Sequence, residues 1–530
     1  RHTWKTGFQL THFTMAYLQS QFVRGSYVFN GGFTQDPSNP SNTGNPFADF
    51  LLGDASTTQR DVGTTQAYLR QNSYAAYVQD DWRLTARINL TAGLRYEYVA
   101  PFTEDRNNLL NLDYSTLPAA PVLKRVDSAV NPDRLNFAPR IGLAARLPHV
   151  LPGAGDTIFR AGYGIYYSPE IAVESYDLIR NGVRNEINQT NSLTPVLTLA
   201  NGFPQTSSTG LPSYFGVDPN APTPYVQQWS AGFQHEAPGR MLLEVAYVGT
   251  KGTDLGRFRQ FNTPAHVELG QNLPPRPGNL QSLRTFPELG PIFQRQHIAN
   301  SIYHSLQIKA EKRVGGRLTL LASFVWAKSI DDADTEIPGR FASFGAQDER
   351  NLRLERGRSF FDVRRRASAG YLYSFATPPL WRPVLKNWQL SGNLILQDGT
   401  PLNPVYFASD FANSGTPNRP NVVLGQSVGQ RTPDHFFNIN AFSAPAPYTF
   451  GNAGRDILPG PGNIVVDIAL HRRFIFRERQ SIEARAEAFN VINHPNVGTP
   501  LSYPDFGSFF GKTFSVGDPR RMQFALRYEF

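Results

Sequence analysis

Four carboxylates fall within the six residues Asp331-Asp332-Ala333-Asp334-Thr335-Glu336. Clustered carboxylate oxygens are what Ca²⁺ selects. Asp331, Asp332, Asp334 and Glu336 are therefore the candidate metal ligands. The spacing is not that of an EF-hand, and the glycine its turn requires is missing, so a solvated acidic turn competes with the metal reading. Other constellations are sparse. The ten histidines are scattered with no His-x-x-x-His pair, and there is no cysteine. Thiol catalysis, Cys-ligated zinc and disulfides are excluded. Gly162-Tyr163-Gly164 lies inside a strand-like run and lacks the helix a phosphate cradle needs. No nucleophile elbow is expected. The chain does not read as an enzyme, and no cofactor is expected.

A second set of residues suits binding. Tyr166, Tyr167, Tyr214, Phe215, Tyr225, Tyr406, Phe436 and Phe437 occur in loop-like segments or at strand ends. Aromatic faces there can stack on sugars or chelates, although large loops also bury aromatics in small cores of their own. The net charge of +8 raises the question of nucleic acid. The longest basic run is only Arg364-Arg365-Arg366, no known module accompanies it, and no nucleic-acid partner is expected.

What must position these residues is a set of strands. In 521–530 every even residue is large and apolar (Met522, Phe524, Leu526, Tyr528, Phe530), and every odd one is polar or small. Strict period two gives a strand with one greasy and one wet face. The pattern recurs at 87–98, 463–476 and 481–488, and similar patterns cover 3–13, 73–83, 157–167, 225–236, 240–249, 301–312, 317–327, 363–375 and 387–397. Residues 19–30, 55–67 and 136–147 are weaker candidates. The count is about sixteen strands, each near the length that crosses a bilayer at a tilt. No run approaches the roughly 18 apolar residues of a membrane helix. Hydrophobic residues are 40%, charged only 18% and aromatics 12%, which suits a β-protein with long loops.

The connections alternate in length. Short ones fall at Thr85-Ala86, Pro148–Gly155, Ala237–Arg240, Val314–Arg317, Pro378–Leu385 and Arg477–Gln480. Long ones cover approximately 31–54, 99–135, 168–224, 250–299, 328–361, 398–460 and 494–518, and Ala48 to Gly53 suggests a helical turn in the first. Tight turns on one side and large loops on the other describe an all-β, antiparallel transmembrane barrel of the outer membrane. A charge facing lipid near the midplane costs about 2–4 kcal/mol. Asp467, His471, Arg473, Glu483, Arg485, Glu487, Arg521, Arg527 and Glu529 should therefore share the lumen face, with Lys309, Glu311, Arg364 and Arg366. Trp4, Tyr74, Trp82, Tyr96, Tyr98, Trp326, Trp388, Phe474, Phe476, Tyr528 and Phe530 fit interfacial girdles. The lipid of the outer membrane is the first expected partner.

Several segments carry a family resemblance. They are Asn72-Ser73-Tyr74-Ala75-Ala76-Tyr77-Val78-Gln79-Asp80-Asp81-Trp82-Arg83-Leu84-Thr85, Leu90-Thr91-Ala92-Gly93-Leu94-Arg95-Tyr96-Glu97, Glu355-Arg356-Gly357-Arg358-Ser359-Phe360-Phe361-Asp362-Val363-Arg364-Arg365-Arg366, and Glu487-Ala488-Phe489-Asn490-Val491-Ile492-Asn493-His494-Pro495-Asn496. With the terminal Tyr528-Glu529-Phe530, an outer-membrane C-terminal signature, they resemble TonB-dependent outer-membrane receptors. The likeness is closest to the type that begins with a carboxypeptidase-regulatory-like domain, common in acidobacteria. The resemblance implies a 22-stranded barrel with an N-terminal plug that contacts periplasmic TonB. Residues 1–530 would then be the C-terminal part of the barrel domain, with the plug and roughly the first six strands absent. It also implies uptake of a scarce nutrient, a siderophore, vitamin or glycan, as a small extracellular ligand. A passive porin of about sixteen strands, closed by pairing 3–13 with 521–530, and an adhesin-like surface protein are the alternatives.

Overall fold

The computed structural model describes residues 1–18, 22, 24–36, 43–61, 66–148, 155–168, 172–181, 184–188, 195, 197–203, 213–239, 241–263, 280–314, 316–333, 346–376, 386–406, 411–412, 414, 416, 418–429, 435–477 and 480–530. Fourteen long strands follow one another as an antiparallel meander. They are β1 (His2–Leu18), β2 (Gln66–Arg83), β3 (Ile88–Val99), β4 (Phe137–Leu147), β5 (Thr157–Tyr167), β6 (Tyr225–Ala237) and β7 (Met241–Gln260). The second half is β8 (Ile292–Val314), β9 (Leu318–Asp331), β10 (Arg365–Ser374), β11 (Trp388–Gln397), β12 (Asn463–Arg477), β13 (Gln480–Phe489) and β14 (Arg521–Glu529). Each pairs with the next in the chain. No described helix is long and apolar enough to cross a membrane.

Residues 19–30 and 55–67 do not add membrane strands. Among their described residues, Ser26–Val28 and Thr57–Asp61 are extended and pair with each other and with Arg184–Asn188 in a separate three-stranded sheet, while Gln66 and Ala67 already belong to β2. Long wall strands number fourteen among the described residues, against an expectation of about sixteen. The weak candidate at 136–147 is a full wall strand, β4. Among the described residues β1 pairs only with β2 and β14 only with β13, so 3–13 and 521–530 stand at opposite sides of the sheet.

Registers fix the two faces. Glu483 lies opposite Arg473 on one side and Arg527 on the other, which places all three on the wet face. The even positions of β14 face outward, and Phe524 and Leu526 are 78% and 80% exposed, as side chains in contact with lipid must be. Near the short-turn rim the rule is relaxed, and Lys312 faces outward opposite Met241 and Leu320. Asp80 faces outward beside Trp4 and bonds His2 at 2.6 Å. The Arg472 guanidinium lies 4.5 Å from the Phe474 ring centre and 5.5 Å from that of Trp388.

β7 and β8 have 20 and 23 residues, well beyond the roughly 9–11 a membrane crossing needs. Their outer ends stand clear of the bilayer beyond a register shift at Gly252–Gly256, where Asp254 takes φ 56°.

The buried apolar cores belong to the long loops. One joins Leu69, Phe102, Leu109, Leu178 and Val217. A second joins Leu112, Phe286, Leu289 and Ile292, and a third Phe437, Leu458 and Phe510. The helical turn expected near Ala48 is a helix, α1 (Pro46–Leu52). The Asn45 side chain accepts from the amides of Phe47 and Ala48, and Gly53 closes α1 at φ 82°.

Candidate functional site

The lumen wall carries charge in pairs. Arg473 bonds Glu529, and Arg527 approaches it at 3.4 Å. Arg485 reaches Glu483 at 2.8 Å and Glu487 at 3.6 Å, and His471 stands 3.7 Å from Glu483. At the other side of the sheet Lys5 bonds Asp81 at 2.6 Å, and Arg95 pairs with Glu97. Most of these charges balance within the wall and act as a structural ladder.

Arg140 and Tyr166 are different. Both lie on the lumen face near the outer rim, and the guanidinium sits 4.5 Å from the tyrosine ring centre. Gly164 leaves the room: a Cβ there would lie 3.1 Å from the Tyr166 hydroxyl and 3.3 Å from Arg140 Cγ. Tyr166 keeps 39% of its surface exposed. The pair offers a flat ring and a cation to a ligand in the lumen.

Above this point a small cleft opens between two loops, lined by Gln71, Val99, Asn131, Asp133, Thr223 and His297 among others. Gln71 Nε2 is buried with no hydrogen-bond partner among the described residues. Burial works against the charge on Asp133. The amides of Leu135 at 3.0 Å and Thr223 at 3.1 Å, with the Thr223 hydroxyl, outweigh it and hold the carboxyl below its ordinary range. Pro224 also lines the cleft, and two residues further on Val226 stands opposite Tyr166 in register. The cleft and the Arg140–Tyr166 pair thus follow one another along the inner wall.

The other aromatic candidates fall elsewhere. Tyr167 and Tyr225 pair across β5 and β6 on the outward face, with ring centres 5.9 Å apart, in the outer aromatic belt. Phe215 packs against Phe293 and Phe258, and Tyr214 joins the second loop core. Tyr406 is buried against Phe411, and burial pushes the phenols of Tyr214 and Tyr406 up. Phe437 is fully buried in the third core, with Phe436 packed on it. Tyr528 and Phe530 stack on each other on the outward face.

Of the metal candidates, Asp334 and Glu336 lie outside the described residues. The carboxylate of Asp331 is engaged by Arg455, and Asp332 accepts from the Asn300 amide at 2.6 Å. Among the described residues no group of three His, Asp or Glu side chains is placed to hold a metal ion. The spacing Gly-x-Ser-x-Gly does occur, at Gly425-Gln426-Ser427-Val428-Gly429. The stretch is a succession of turns, without the strand running into the serine that an elbow needs.

The arrangement that sequence reasoning missed is a buried ionic latch between two outer loops and the ends of the strands beside them. Arg419 grips Glu355 at 3.0 and 2.9 Å and donates to the carbonyls of Ala453 and Leu354. Arg455, 2% exposed, bonds Asp331, Asp456 and the Glu355 carbonyl. Glu349 accepts from Arg259 at 3.2 Å and from the amides of Gln260 and Ala346. Asp362 accepts from Ser329 N and Arg358 Nε, both at 2.8 Å. The segment Glu355 to Asp362 supports the family resemblance, but the partners of Glu355 are 64 and 100 residues away in the chain. Nothing local signals them.

An antiparallel sheet with a lipid-facing side, a charged lumen side and long outer loops defines an outer-membrane β-barrel wall. Residues 1–523 match the family described as an outer membrane beta barrel domain, and the chain belongs to that family. No curated protein sequence matches it at a significant level. Among solved structures it is similar to the outer membrane transporter YddB from Escherichia coli, at 12% identity and a TM-score of 0.50, over 99% of this chain and 51% of that one. It is also similar to the FrpB iron transporter from Neisseria meningitidis (11% identity, TM-score 0.45, 100% and 52%). A third is the ferric-catecholate import receptor Fiu from E. coli K12 (12% identity, TM-score 0.44, 100% and 52%). The chain spans about half the length of these structures, and the likeness concerns the fold.

Proposed function

We propose that the protein is an outer-membrane receptor that imports a scarce nutrient, a siderophore, vitamin or glycan, by TonB-dependent transport. The observation that carries this reading is the path from the Gln71–Asp133 cleft to Arg140 and Tyr166 on the lumen face. A wall that only enclosed water would have no use for an exposed ring under a cation at its mouth. The named functions of YddB, FrpB and Fiu support transport as the class. TonB enters through the sequence resemblance alone. The plug that would contact it, and the type with an N-terminal carboxypeptidase-regulatory-like domain, rest on that resemblance as well. The porin reading is weakened because β1 and β14, which it needs as partners, each pair on one side only among the described residues.

The test uses cells with and without the full-length gene, each in backgrounds with and without TonB. Labelled ferric siderophores, cobalamin and oligosaccharides are offered at nanomolar concentration. One of them should accumulate only when both the gene and TonB are present. Accumulation that needs the gene but not TonB would contradict the coupling. Surface binding without accumulation would favour an adhesin.

A further inference from the structure

We infer that the outward face of β7–β10 carries a docking site for an anionic, phosphate-bearing lipid of the outer leaflet. The registers bring four basic side chains to one place. His304 stands directly opposite Lys328, and Arg365 directly opposite Trp326. Gly249 is opposite His304, which sets Lys251 one outward position further along β7. Adjacent strands lie about 4.8 Å apart, so the four residues fit within about 15 Å.

The level of this patch in the membrane follows from what lies beneath it. Below Lys328, the outward positions of β9 are Trp326, Phe324, Ala322, Leu320 and Leu318. Trp326 is 60% exposed and marks the outer end of the apolar band. Tyr247 is in register with Trp326 through Leu306, Trp229 lies one outward position further along, opposite Gly249, and the Tyr247 hydroxyl bonds His304 Nδ1 at 2.7 Å. Lys328, Lys251 and Arg365 therefore sit where lipid headgroups begin.

The charge is one-sided. The outward positions of β7–β10 include no Asp or Glu. Two carboxylates approach from the loops. Asp398 holds Arg365 at 2.8 and 3.1 Å, and Asp332 is taken by the Asn300 amide. Lys251 donates to Asn300 Oδ1 at 2.9 Å. The Lys328 side chain is exposed and forms no hydrogen bond or ion pair among the described residues. A lysine left unpaired beside a histidine, above an aromatic belt, complements a lipid phosphate whose acyl chains lie along Trp326 and Phe324.

The test measures binding of the full-length protein to phosphatidylcholine vesicles with and without bisphosphorylated lipid A. Lys328→Gln should weaken lipid A binding about fivefold, and Lys251→Gln by a similar factor. Lys328→Arg should restore it. Lys312→Gln lies on the same outward face at the opposite rim and should leave binding unchanged. Retained heat-modifiable migration on gels verifies that each variant is folded. Inorganic phosphate at the same concentration should not displace the lipid. Equal binding to dephosphorylated lipid A, displacement by free phosphate, or an equal loss with Lys312→Gln would each overturn the assignment.

Discussion

Arg419 holds both carboxylate oxygens of Glu355 across 64 residues of sequence, with both side chains buried. This bond ties the loop between β11 and β12 to the loop between β9 and β10. Arg455 and Glu349 extend the tie to the ends of β9 and β7. The two outer loops are therefore braced against each other and against the wall.

Removing one partner of a buried pair leaves the other charged and unpaired, at a cost of about 3–5 kcal/mol. Arg419→Ala should open the loops at 346–364 and 418–462 to protease while the barrel keeps its heat-modifiable migration. Arg419→Lys should rescue little, because a single ammonium cannot serve two oxygens and two carbonyls at once. Limited proteolysis of intact cells reads both outcomes.

Backbone packing at the same latch gives an independent check. A Cβ on Gly451 would lie 1.9 Å from the Arg419 carbonyl oxygen and 2.4 Å from that of Pro420. Gly451→Ala must displace main chain, and a loss of about 1–3 kcal/mol is expected. Gly202 has open space where a Cβ would be, but its φ of 65° makes an alanine there strained for a different reason. Hydrogen exchange should therefore increase around Arg419 in the first variant and stay unchanged there in Gly202→Ala.

Acid should loosen the mouth cleft. The Asp133 carboxyl is held below the ordinary value of 3.8, so its contribution is fully present above that value. It is lost as pH falls through the lower folded value. Exchange of the Leu135 and Thr223 amides should accelerate below about pH 4, and Asp133→Asn should show no such acid-dependent step.

The ligand path separates binding residues from packing residues. Tyr166→Ala should weaken ligand binding by roughly two- to tenfold, as the loss of one ring contact does. Phe437→Ala should instead cost about 3–5 kcal/mol of loop stability, because that ring is fully buried. Equilibrium ligand titration and thermal unfolding of the two variants distinguish the roles.

The wall was largely legible in the sequence. β12, β13 and β14 follow the alternation closely, because one face meets lipid and the other water. The connections were more reliable than the weaker strand patterns. Seven long and six short ones join fourteen strands, whereas 19–30 and 55–67 alternate because short pieces of them lie in a small loop sheet. The loops were not legible. Asp331 looked like part of an acidic cluster because its neighbours in sequence are acids, yet its partner is Arg455, 124 residues on. Tyr406 and Phe437 looked available because Pro- and Gly-rich segments suggest exposure, but these loops bury their aromatics in cores of their own.

The central claim is energised import through this wall. Its most direct measurement is accumulation of the identified ligand in cells carrying the full-length gene, before and after collapse of the proton-motive force by an uncoupler. Surface binding should persist while accumulation stops. Accumulation that continues unchanged after uncoupling would mean passive passage and would contradict the claim.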